Sequence, residues 1–139
     1  MDSINDSFAR AGWINDLERS DCGRVEPAYR YIRRSDKLPR LEELLRLNPP
    51  TPILRVKLYL PEGHMTWYVA AYEPAHRIAW GAVDNGCEFT TGAISMPELV
   101  RLRSSRLRLP LERDLSFLPT RLTAAAAGWL VRGHFGSRP

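Results

Sequence analysis

Apolar residues follow three successive patterns along the chain. Up to Asn48 they recur every three or four positions, which predicts amphipathic helices over 4–17, 27–34 and 41–47. A pair of prolines then ends the last of these helices, because proline lacks the amide hydrogen that a helix interior needs. Residues 1–50 are therefore predicted to be mostly helical.

In the middle of the chain the pattern alternates, which is typical of strands with one buried face. Four strands are predicted, over 53–60, 66–72, 77–83 and 87–94. Short turn sequences separate them, among them the hairpin signal Asn85-Gly86. Connections this short favour an antiparallel meander, since parallel neighbours need long crossovers.

The helical pattern returns after the fourth strand. Ser95-Met-Pro-Glu98 has the form of a capping box, and a helix over 96–105 is expected to follow it. An extended segment over 109–119 then leads to a last helix over 124–131. We therefore predict an α+β fold: a four-stranded, mainly antiparallel sheet with N-terminal helices, a helix after the sheet and a C-terminal helix.

The length of the chain favours a single domain. A chain of 139 residues can bury one real core and is too short for two comfortable domains. We divide this domain into a helical part over 1–50, a sheet-containing core over 51–122, and a C-terminal helix and tail over 123–139. With 44% hydrophobic and 26% charged residues, the composition is that of a globular protein.

The chain is basic, with a net charge of +4 and an isoelectric point near 9.4. This balance permits contact with nucleic acid or with an acidic protein surface and requires neither. The densest basic run follows the sheet and is a candidate partner-binding site: Arg101, Arg103, Arg106 and Arg108. Guanidinium groups bind phosphates and carboxylates. On a helix these arginines would point in several directions, so a solvated surface is the alternative interpretation.

A second candidate binding surface lies on the predicted sheet. Alternation along the second strand places Tyr68 and Tyr72 on the outer face, beside the basic row Arg55 and Lys57 of the first strand. Aromatic rings next to cationic side chains can stack bases and follow a phosphate backbone. The two tryptophans of the sheet are expected in the core instead: Trp67 and Trp80.

The C-terminal helix offers a surface for self-association. Four alanines, 124–127, permit close approach of another helix, and Trp129 and Leu130 are apolar anchors of the kind that dominates interfaces. The helix can dock on its own domain or on a second copy, and the pattern slightly favours a homodimer.

No arrangement of residues in the sequence points to a metal or a cofactor. His64, His76 and His134 lack metal-ligand spacing, and the first two follow turns, where exposure is expected. With only Cys22 and Cys87, a disulfide framework is not expected, and Cys87 is expected to be a small buried residue at a strand start. We therefore predict neither a metal site nor a cofactor.

The acidic residues allow two interpretations. Glu112 and Asp114 share one side of an extended segment, with Arg113 on the other side. Paired carboxylates can perform acid–base chemistry or hold a divalent cation. Alternatively, one of them pairs with a strand cation such as Lys57, or caps a backbone turn. The structural interpretation is favoured over the reactive one.

From Ile53 to Leu122 a series of short motifs occurs in a characteristic order and spacing. They are Val56-Lys57, Pro61, Thr66-Trp67-Tyr68, Glu73, Gly81, Glu88, Gly92, Glu98-Leu99, Leu109-Pro110, Glu112-Arg113-Asp114, Phe117 and Pro119. In these motifs the chain resembles a family of unknown function, the one numbered 2958. The family brings no established reaction or cofactor, and the resemblance implies that the protein is encoded on a mobile genetic element.

Three functional hypotheses follow. The leading one is a non-enzymatic binding or inhibitor protein that blocks a host defence nuclease complex by protein–protein contact, as anti-CRISPR and anti-restriction proteins do. The alternatives are a nucleic-acid-binding accessory protein of plasmid or phage maintenance, and an enzyme that uses Glu112 and Asp114. The sequence lacks a signal-peptide pattern and a membrane-spanning apolar run. The cytoplasm of a bacterial host is therefore the expected location, without membrane contact.

Overall fold

The computed structural model describes residues 31–46 and 52–134, with side chains up to residue 129. The predicted helix over 4–17 and most of the helix predicted over 27–34 lie outside these residues. The described part is a mixed α/β structure in which short helices precede and follow an antiparallel sheet.

The first described helix, α1, spans Leu41–Leu45 and is shorter than the predicted 41–47. It begins where the Glu43 carboxylate accepts the backbone N–H of Arg40, at 2.7 Å. That bond occupies a donor that the start of a helix leaves without an intrahelical partner. A single 3-10 turn, Arg34–Asp36, comes before it.

Seven strands in two sheets follow among the described residues. They are β1 Ile53–Leu54, β2 Val56–Tyr59, β3 Thr66–Glu73, β4 Ile78–Asp84, β5 Phe89–Ser95, β6 Glu112–Arg113 and β7 Thr120–Arg121. Five of them form an antiparallel sheet in the order β5-β4-β3-β2-β6, and β1 pairs with β7 in a small second sheet. The predicted antiparallel meander is confirmed in β2 to β5.

The predicted number of four strands is wrong. The first predicted strand divides at Arg55 into β1 and β2, which pair with different partners. A fifth strand joins the sheet because Glu112 and Arg113 pair with the free edge of β2, opposite Tyr59 and Leu58. A two-residue strand leaves too short a pattern for alternation to reveal.

A β-bulge in β3 changes which residues face the core. Val69 pairs with Gly81, but Ala71 pairs with Trp80, so one extra residue is accommodated on β3 between these pairs. Beyond the bulge the alternation is shifted by one position. Tyr72 consequently lies on the same face as Val69 and is only 2% exposed. The expectation that Tyr72 lies on an outer, exposed face is therefore wrong.

The two tryptophans of the sheet have different environments. Trp67 is buried in the core, as expected. Trp80 is half-buried on the opposite face, because its neighbours Ala79 and Gly81 take the inward positions on β4. The prediction that Trp80 belongs to the core is wrong.

The core lies between one face of the sheet and the segments that cross it. Helix α2, Met96–Leu99, contributes Met96 and Leu99 to this core, and Tyr31 and Ile32 complete it from before α1. The Ser95 hydroxyl accepts the Glu98 N–H at 3.4 Å, which confirms the predicted N-cap.

The helix predicted over 96–105 ends early, at Leu99. After it, the N–H groups of Arg101 and Leu102 bond three residues back, to Glu98 and Leu99. The chain then leaves the helical path, since Arg103 pairs with Pro110 in an isolated β-bridge.

The opposite face of the sheet, here called the outer face, is partly covered by the last helix. This helix, α3, spans Leu122–His134 and contains the predicted 124–131. The Trp129 ring packs against Phe89, and its indole N–H donates to the Asp84 carboxylate at 3.1 Å. In the described residues no helix is both long and apolar enough to cross a membrane.

Candidate functional site

Residues 101–109, here called the arginine segment, form a connection between α2 and β6. Four of its nine residues are arginine, and no acidic residue occurs between Glu98 and Glu112. The predicted arginines are therefore presented on a loop and not along a helix. In a helix the four arginine side chains would point in directions distributed around the helix axis. A loop does not impose this distribution.

The arginine segment is closed on itself through Ser104. The Ser104 backbone N–H donates to the Leu109 carbonyl at 2.8 Å, and the Leu109 N–H donates to the Ser104 hydroxyl at 2.8 Å. Ser104 is buried. These reciprocal bonds fix the two ends of the turn that lies between them.

Glu62, in the turn between β2 and β3, anchors the tip of the arginine segment. Its carboxylate accepts the backbone N–H of Leu107 at 2.9 Å and that of Arg106 at 3.3 Å. A hydrogen bond from the Ser104 side chain, followed by the one from the Leu107 N–H, lowers the pKa of Glu62. Hydrogen bonds to the charged form favour the carboxylate, so this contact is made by the ionised acid.

Two non-glycine residues in this region have positive φ angles. Glu62 has a φ of 71° and Arg108 a φ of 55°. Residues other than glycine seldom adopt this conformation, and each instance costs on the order of 1 kcal/mol or more. Because both lie where the turn and the arginine segment meet, the surrounding hydrogen bonds hold the segment in a defined shape.

The arginines of the segment have two different roles. The Arg103 guanidinium donates to the carbonyls of Leu102, at 2.8 Å, and Val100, at 3.2 Å, so it supports the loop. The other three are exposed: Arg101, Arg106 and Arg108. Within the residues that the structure describes, no carboxylate lies within ion-pair distance of these three.

On the outer face, a polar cleft of about 370 Å³ lies beside the same turn. Its charged and polar lining comes from Lys57, Tyr59, Thr66 and Asp114. Asp114 lies 3.6 Å from the Lys57 ammonium group and accepts the Ser116 N–H at 2.9 Å. Asp114 therefore makes the two contacts that the structural interpretation expects, a pairing with Lys57 and the capping of a turn.

The other members of the Glu112-Arg113-Asp114 motif also make structural contacts. The Tyr59 hydroxyl donates to Glu112 at 3.4 Å on the outer face. On the core face, Arg113 forms a bidentate pair with Asp36 at 2.6 and 2.8 Å and donates to the Tyr31 carbonyl at 2.8 Å. The enzyme hypothesis for Glu112 and Asp114 stays a prediction, and every residue of the motif has a place in the architecture.

The predicted platform of aromatic and basic residues on the sheet does not form as one surface. Tyr72 is in the core, and the Tyr68 ring lies between Phe117 at 5.7 Å and Phe89 at 6.1 Å. The two basic residues make different contacts. Lys57 pairs with Asp114, and the half-buried Arg55 donates its backbone N–H to the Val69 carbonyl of β3.

Other candidate chemistry is placed as follows. His64 and His76 are exposed, as predicted, and the side chain of His134 lies outside the described residues. Cys87 is exposed, so its expected burial is wrong, because the Asn85 side chain holds Cys87 and Glu88 in the turn before β5. Among the described residues, no three His, Cys, Asp or Glu side chains are grouped as metal ligands would be.

Trp129 is engaged on its own sheet, and Leu130 lies outside the described side chains. Self-association through these two residues stays a prediction. Sequence reasoning did not identify Glu62, which turned out to join the turn to the arginine segment. A carboxylate in the turn sequence Pro61-Glu-Gly63 is an available signal, but only the fold reveals its partner 45 residues away.

These features define a class: a mixed α/β domain built on a five-stranded antiparallel sheet, in which the turn between β2 and β3 anchors an arginine-rich loop and borders a polar cleft. The family model for protein of unknown function (DUF2958) matches residues 42–130, and the chain belongs to this family. Comparison with curated proteins gave no match, and comparison with solved structures gave none.

Proposed function

We propose that this protein is a non-enzymatic binding protein whose arginine segment contacts an acidic surface of a partner protein. One observation carries the proposal: Arg101, Arg106 and Arg108 are exposed and have no carboxylate partner among the described residues. Exposed guanidinium groups can form bidentate, charge-assisted hydrogen bonds with the carboxylates of a partner protein.

The construction of the loop supports a binding role. Bonds from Ser104 and Glu62 fix the backbone before any partner arrives. A preformed surface loses less conformational entropy on association than a flexible loop does. The same segment exposes Leu102 by 40% and Leu107 by 62%. Arginine next to exposed apolar side chains is a composition suited to protein interfaces.

We further propose that the partner belongs to a host defence nuclease complex in the bacterial cytoplasm, and that binding inhibits it. The motivation is the mobile-element setting that the family resemblance implies. An inhibitor that imitates DNA would be acidic, whereas this chain carries a net charge of +4. Contact with an acidic patch of one protein subunit therefore fits the chain better than DNA mimicry does.

Nucleic-acid binding is the second candidate function. The exposed arginines support it, because guanidinium groups also bind phosphates. The arrangement of aromatic residues weighs against it. Base stacking needs an open ring face beside the cations. Tyr72 is buried and Tyr68 contacts two phenylalanine rings, so neither supplies the platform that the sequence suggested.

The proposal can be tested with two matched double variants. Arg106→Gln/Arg108→Gln neutralises two exposed arginines in the arginine segment, and Arg46→Gln/Arg121→Gln neutralises two exposed arginines elsewhere. Tagged wild type and both variants are used to capture proteins from a nuclease-treated bacterial lysate, and affinity for the purified partner is then measured. We expect the first variant to lose roughly tenfold or more in affinity and the second to match wild type.

Three outcomes would contradict the proposal. Equal binding by both variants would remove the arginine segment from the interface. Capture of nucleic acid alone, when nuclease is omitted, with affinity falling steeply as salt rises, would favour the accessory-protein alternative. A captured partner without a role in a defence complex would retain the binding function and reject the proposed target.

A further inference from the structure

Within the part of the chain that the structure describes, strand β5 forms one edge of the five-stranded sheet. It is seven residues long, and Thr90, Thr91 and Ala93 are exposed. The opposite edge is the two-residue strand β6. A long edge strand presents a row of backbone donors and acceptors to the solvent and can pair with another strand.

The hydrogen bonds at the two ends of β5 establish which of its groups face outward. The Asn85 N–H donates to the Glu88 carbonyl, and the Met96 N–H donates to the Arg77 carbonyl, both at 3.1 Å. In an antiparallel pair, hydrogen-bonded positions alternate with non-hydrogen-bonded ones. The even-numbered residues of β5 therefore bond to β4, and the odd-numbered ones direct their N–H and C=O groups outward: Phe89, Thr91, Ala93 and Ser95.

Nothing in the sequence of β5 protects this edge from pairing. Natural sheets block exposed edges with lysine, proline, bulges or very short strands. Strand β5 reads Phe-Thr-Thr-Gly-Ala-Ile-Ser and pairs with β4 without a register shift. No charged residue occurs between Glu88 and Glu98, although the whole chain carries a net charge of +4. Two copies can therefore approach through this edge without placing like charges opposite one another.

We propose that β5 is a self-association surface that pairs antiparallel with β5 of a second copy, around a two-fold axis at Gly92. Gly92 is the middle residue of the strand, so this register pairs all seven residues. Thr91 then lies opposite Ala93 of the second copy, and Phe89 opposite Ser95. These are the outward-facing positions, and each such pair exchanges two backbone hydrogen bonds.

Two details of the edge suit this arrangement. Gly92 would lie opposite its own copy in a non-hydrogen-bonded pair, where strands approach most closely, at about 4.5 Å between Cα atoms. A Cβ built on Gly92 meets nothing within 4 Å, so the space around it is open. Beside the edge, Ile94 and Leu99 line a cleft of about 270 Å³, and Thr90 of the second copy would lie opposite Ile94.

The proposal of β5 pairing does not rest on the proposed partner-binding function or on the predicted self-association through Trp129 and Leu130. The tip of the arginine segment remains accessible in such a dimer, because Arg106 and Leu107 are fixed to the turn between β2 and β3, away from β5 in the strand order, whereas Leu102 at the start of the segment lines the cleft beside β5. The pairing would join two five-stranded sheets into a continuous sheet with closed two-fold symmetry.

Oligomeric state tests the proposal, measured by sedimentation equilibrium over a wide concentration range. Thr91→Pro removes an outward N–H while leaving the bonds to β4 intact, and Thr91→Val keeps that N–H and the side-chain size. We expect wild type and Thr91→Val to form dimers and Thr91→Pro to be a folded monomer. A monomeric wild type would overturn the proposal. So would a dimeric Thr91→Pro.

Two double variants with paired charges distinguish a dimer formed through β5 from a dimer formed through another surface. They also distinguish it from a monomer in which another segment of the same chain packs on the β5 edge. Because residue 91 lies opposite residue 93 of the second copy, Thr91→Lys/Ala93→Lys would place like charges together, and Thr91→Lys/Ala93→Glu opposite charges. We expect the first double variant to weaken the dimer roughly tenfold and the second to restore it. The proposal would be overturned if both double variants dimerised equally. It would also be overturned if the protein were a monomer that these substitutions made less thermally stable, because the β5 edge would then be packed against its own chain.

Discussion

Individual acidic residues join segments that are far apart in the chain. Asp36 holds Arg113 across 77 positions, and both side chains are largely buried. Removing one partner of a buried ion pair leaves the other charge without compensation, which typically costs about 3–5 kcal/mol. Glu62 and Glu73 make comparable connections in more exposed settings. At the scale of the residue, the charges of this protein serve architecture as well as recognition.

The contact between Glu73 and Arg40 predicts a specific dependence of stability on pH. Glu73 accepts a hydrogen bond from the Arg40 guanidinium at 2.8 Å. This bond, and then the charge of Arg40, lowers the pKa of Glu73 despite the opposing effect of burial, and the same bond raises the pKa of Arg40. The pKa of Glu73 in the folded state therefore lies below its ordinary value of 4.5.

The sign of the effect follows from this depressed pKa. The stabilisation is fully present above the ordinary pKa of 4.5 and is lost as the pH falls through the lower folded-state value. We expect Glu73→Gln to lower the free energy of unfolding by about 0.5–1 kcal/mol near neutral pH, since Arg40 is partly solvated. The difference between wild type and variant should disappear in strong acid. Urea unfolding across the acidic range measures it.

Glu42→Gln provides the control for this prediction. Glu42 pairs with Arg46 at 3.4 Å, but both side chains are more than 60% exposed. An exposed pair of this kind contributes only a few tenths of a kcal/mol, so little change with pH is expected. If the two variants follow the same pH profile, the Glu73 contact has no special role.

At the scale of the element, the bulge in β3 and Gly81 in β4 depend on each other. The bulge brings the Tyr68 carbonyl so close to Gly81 that a Cβ there would collide with the oxygen. Backbone atoms of a paired strand cannot move aside as a flexible side chain can. Glycine at position 81 therefore permits the bulge, and the bulge in turn directs Tyr72 into the core.

Two glycine variants test this dependence with matched chemistry. Gly81 and Gly92 lie opposite each other on neighbouring strands. We expect Gly81→Ala to lower the free energy of unfolding by about 3 kcal/mol or more, because the added methyl forces the strands apart. Gly92→Ala should have little effect or stabilise by about 0.5–1 kcal/mol, since alanine is less flexible in the unfolded chain.

Urea unfolding of both proteins provides the measurement. Comparable loss in the two variants would mean that glycine is needed in this part of the sheet for its flexibility alone. Little loss in Gly81→Ala would mean that β3 lacks the bulge and that Tyr72 follows simple alternation.

The sequence predicted elements whose signal is local and missed those whose signal lies elsewhere in the chain. The strands β2 to β5 follow from alternation, and the N-cap at Ser95 follows from the residues after it. The bulge in β3 has no local sequence signature, because it depends on the residues of β4 that pair with it. The prediction from alternation was therefore wrong at Tyr72. Strand β6 was missed for the same reason.

The candidate site divides in the same way. The arginines were identifiable from composition and position alone. Their presentation on a loop was not, since it depends on the early end of α2 and on Glu62 from a distant turn. The pairing of Asp114 with Lys57 was among the expected contacts because the two charges are opposite, but its geometry follows from the pairing of β6 with β2, which local alternation does not reveal.

At the scale of the whole molecule, the sheet has two unlike faces. One face forms the main core with α2 and the residues before α1. The outer face carries a smaller aromatic cluster, in which the Tyr68 ring contacts Phe117 and Phe89, and the Phe89 ring also contacts Trp129. Asp84 is buried beneath this cluster and accepts bonds from the Trp129 indole and from the Gly86 N–H. Among the described residues, the contacts of Trp129 with Phe89 and Asp84 join α3 to the outer face of the sheet.

Substitution of Trp129 tests whether α3 packs on its own domain or on a second copy. We expect Trp129→Ala to lower the free energy of unfolding by about 2 kcal/mol, because ring contacts are lost and Asp84 loses one of its donors. Trp129→Phe should lose about 1 kcal/mol, since a ring remains on Phe89 without the N–H. Urea unfolding and hydrogen exchange in α3 measure both effects.

Protein concentration decides between the two positions of this helix. If α3 docks on its own sheet, the losses in both Trp129 variants will be the same at low and high protein concentration, because folding and docking occur within one chain. If Trp129 and Leu130 instead join two copies, the loss in Trp129→Ala will grow as concentration rises, because this variant removes the stabilisation that the wild type gains through that contact between copies. The observed bond between Trp129 and Asp84 leads us to expect the first result.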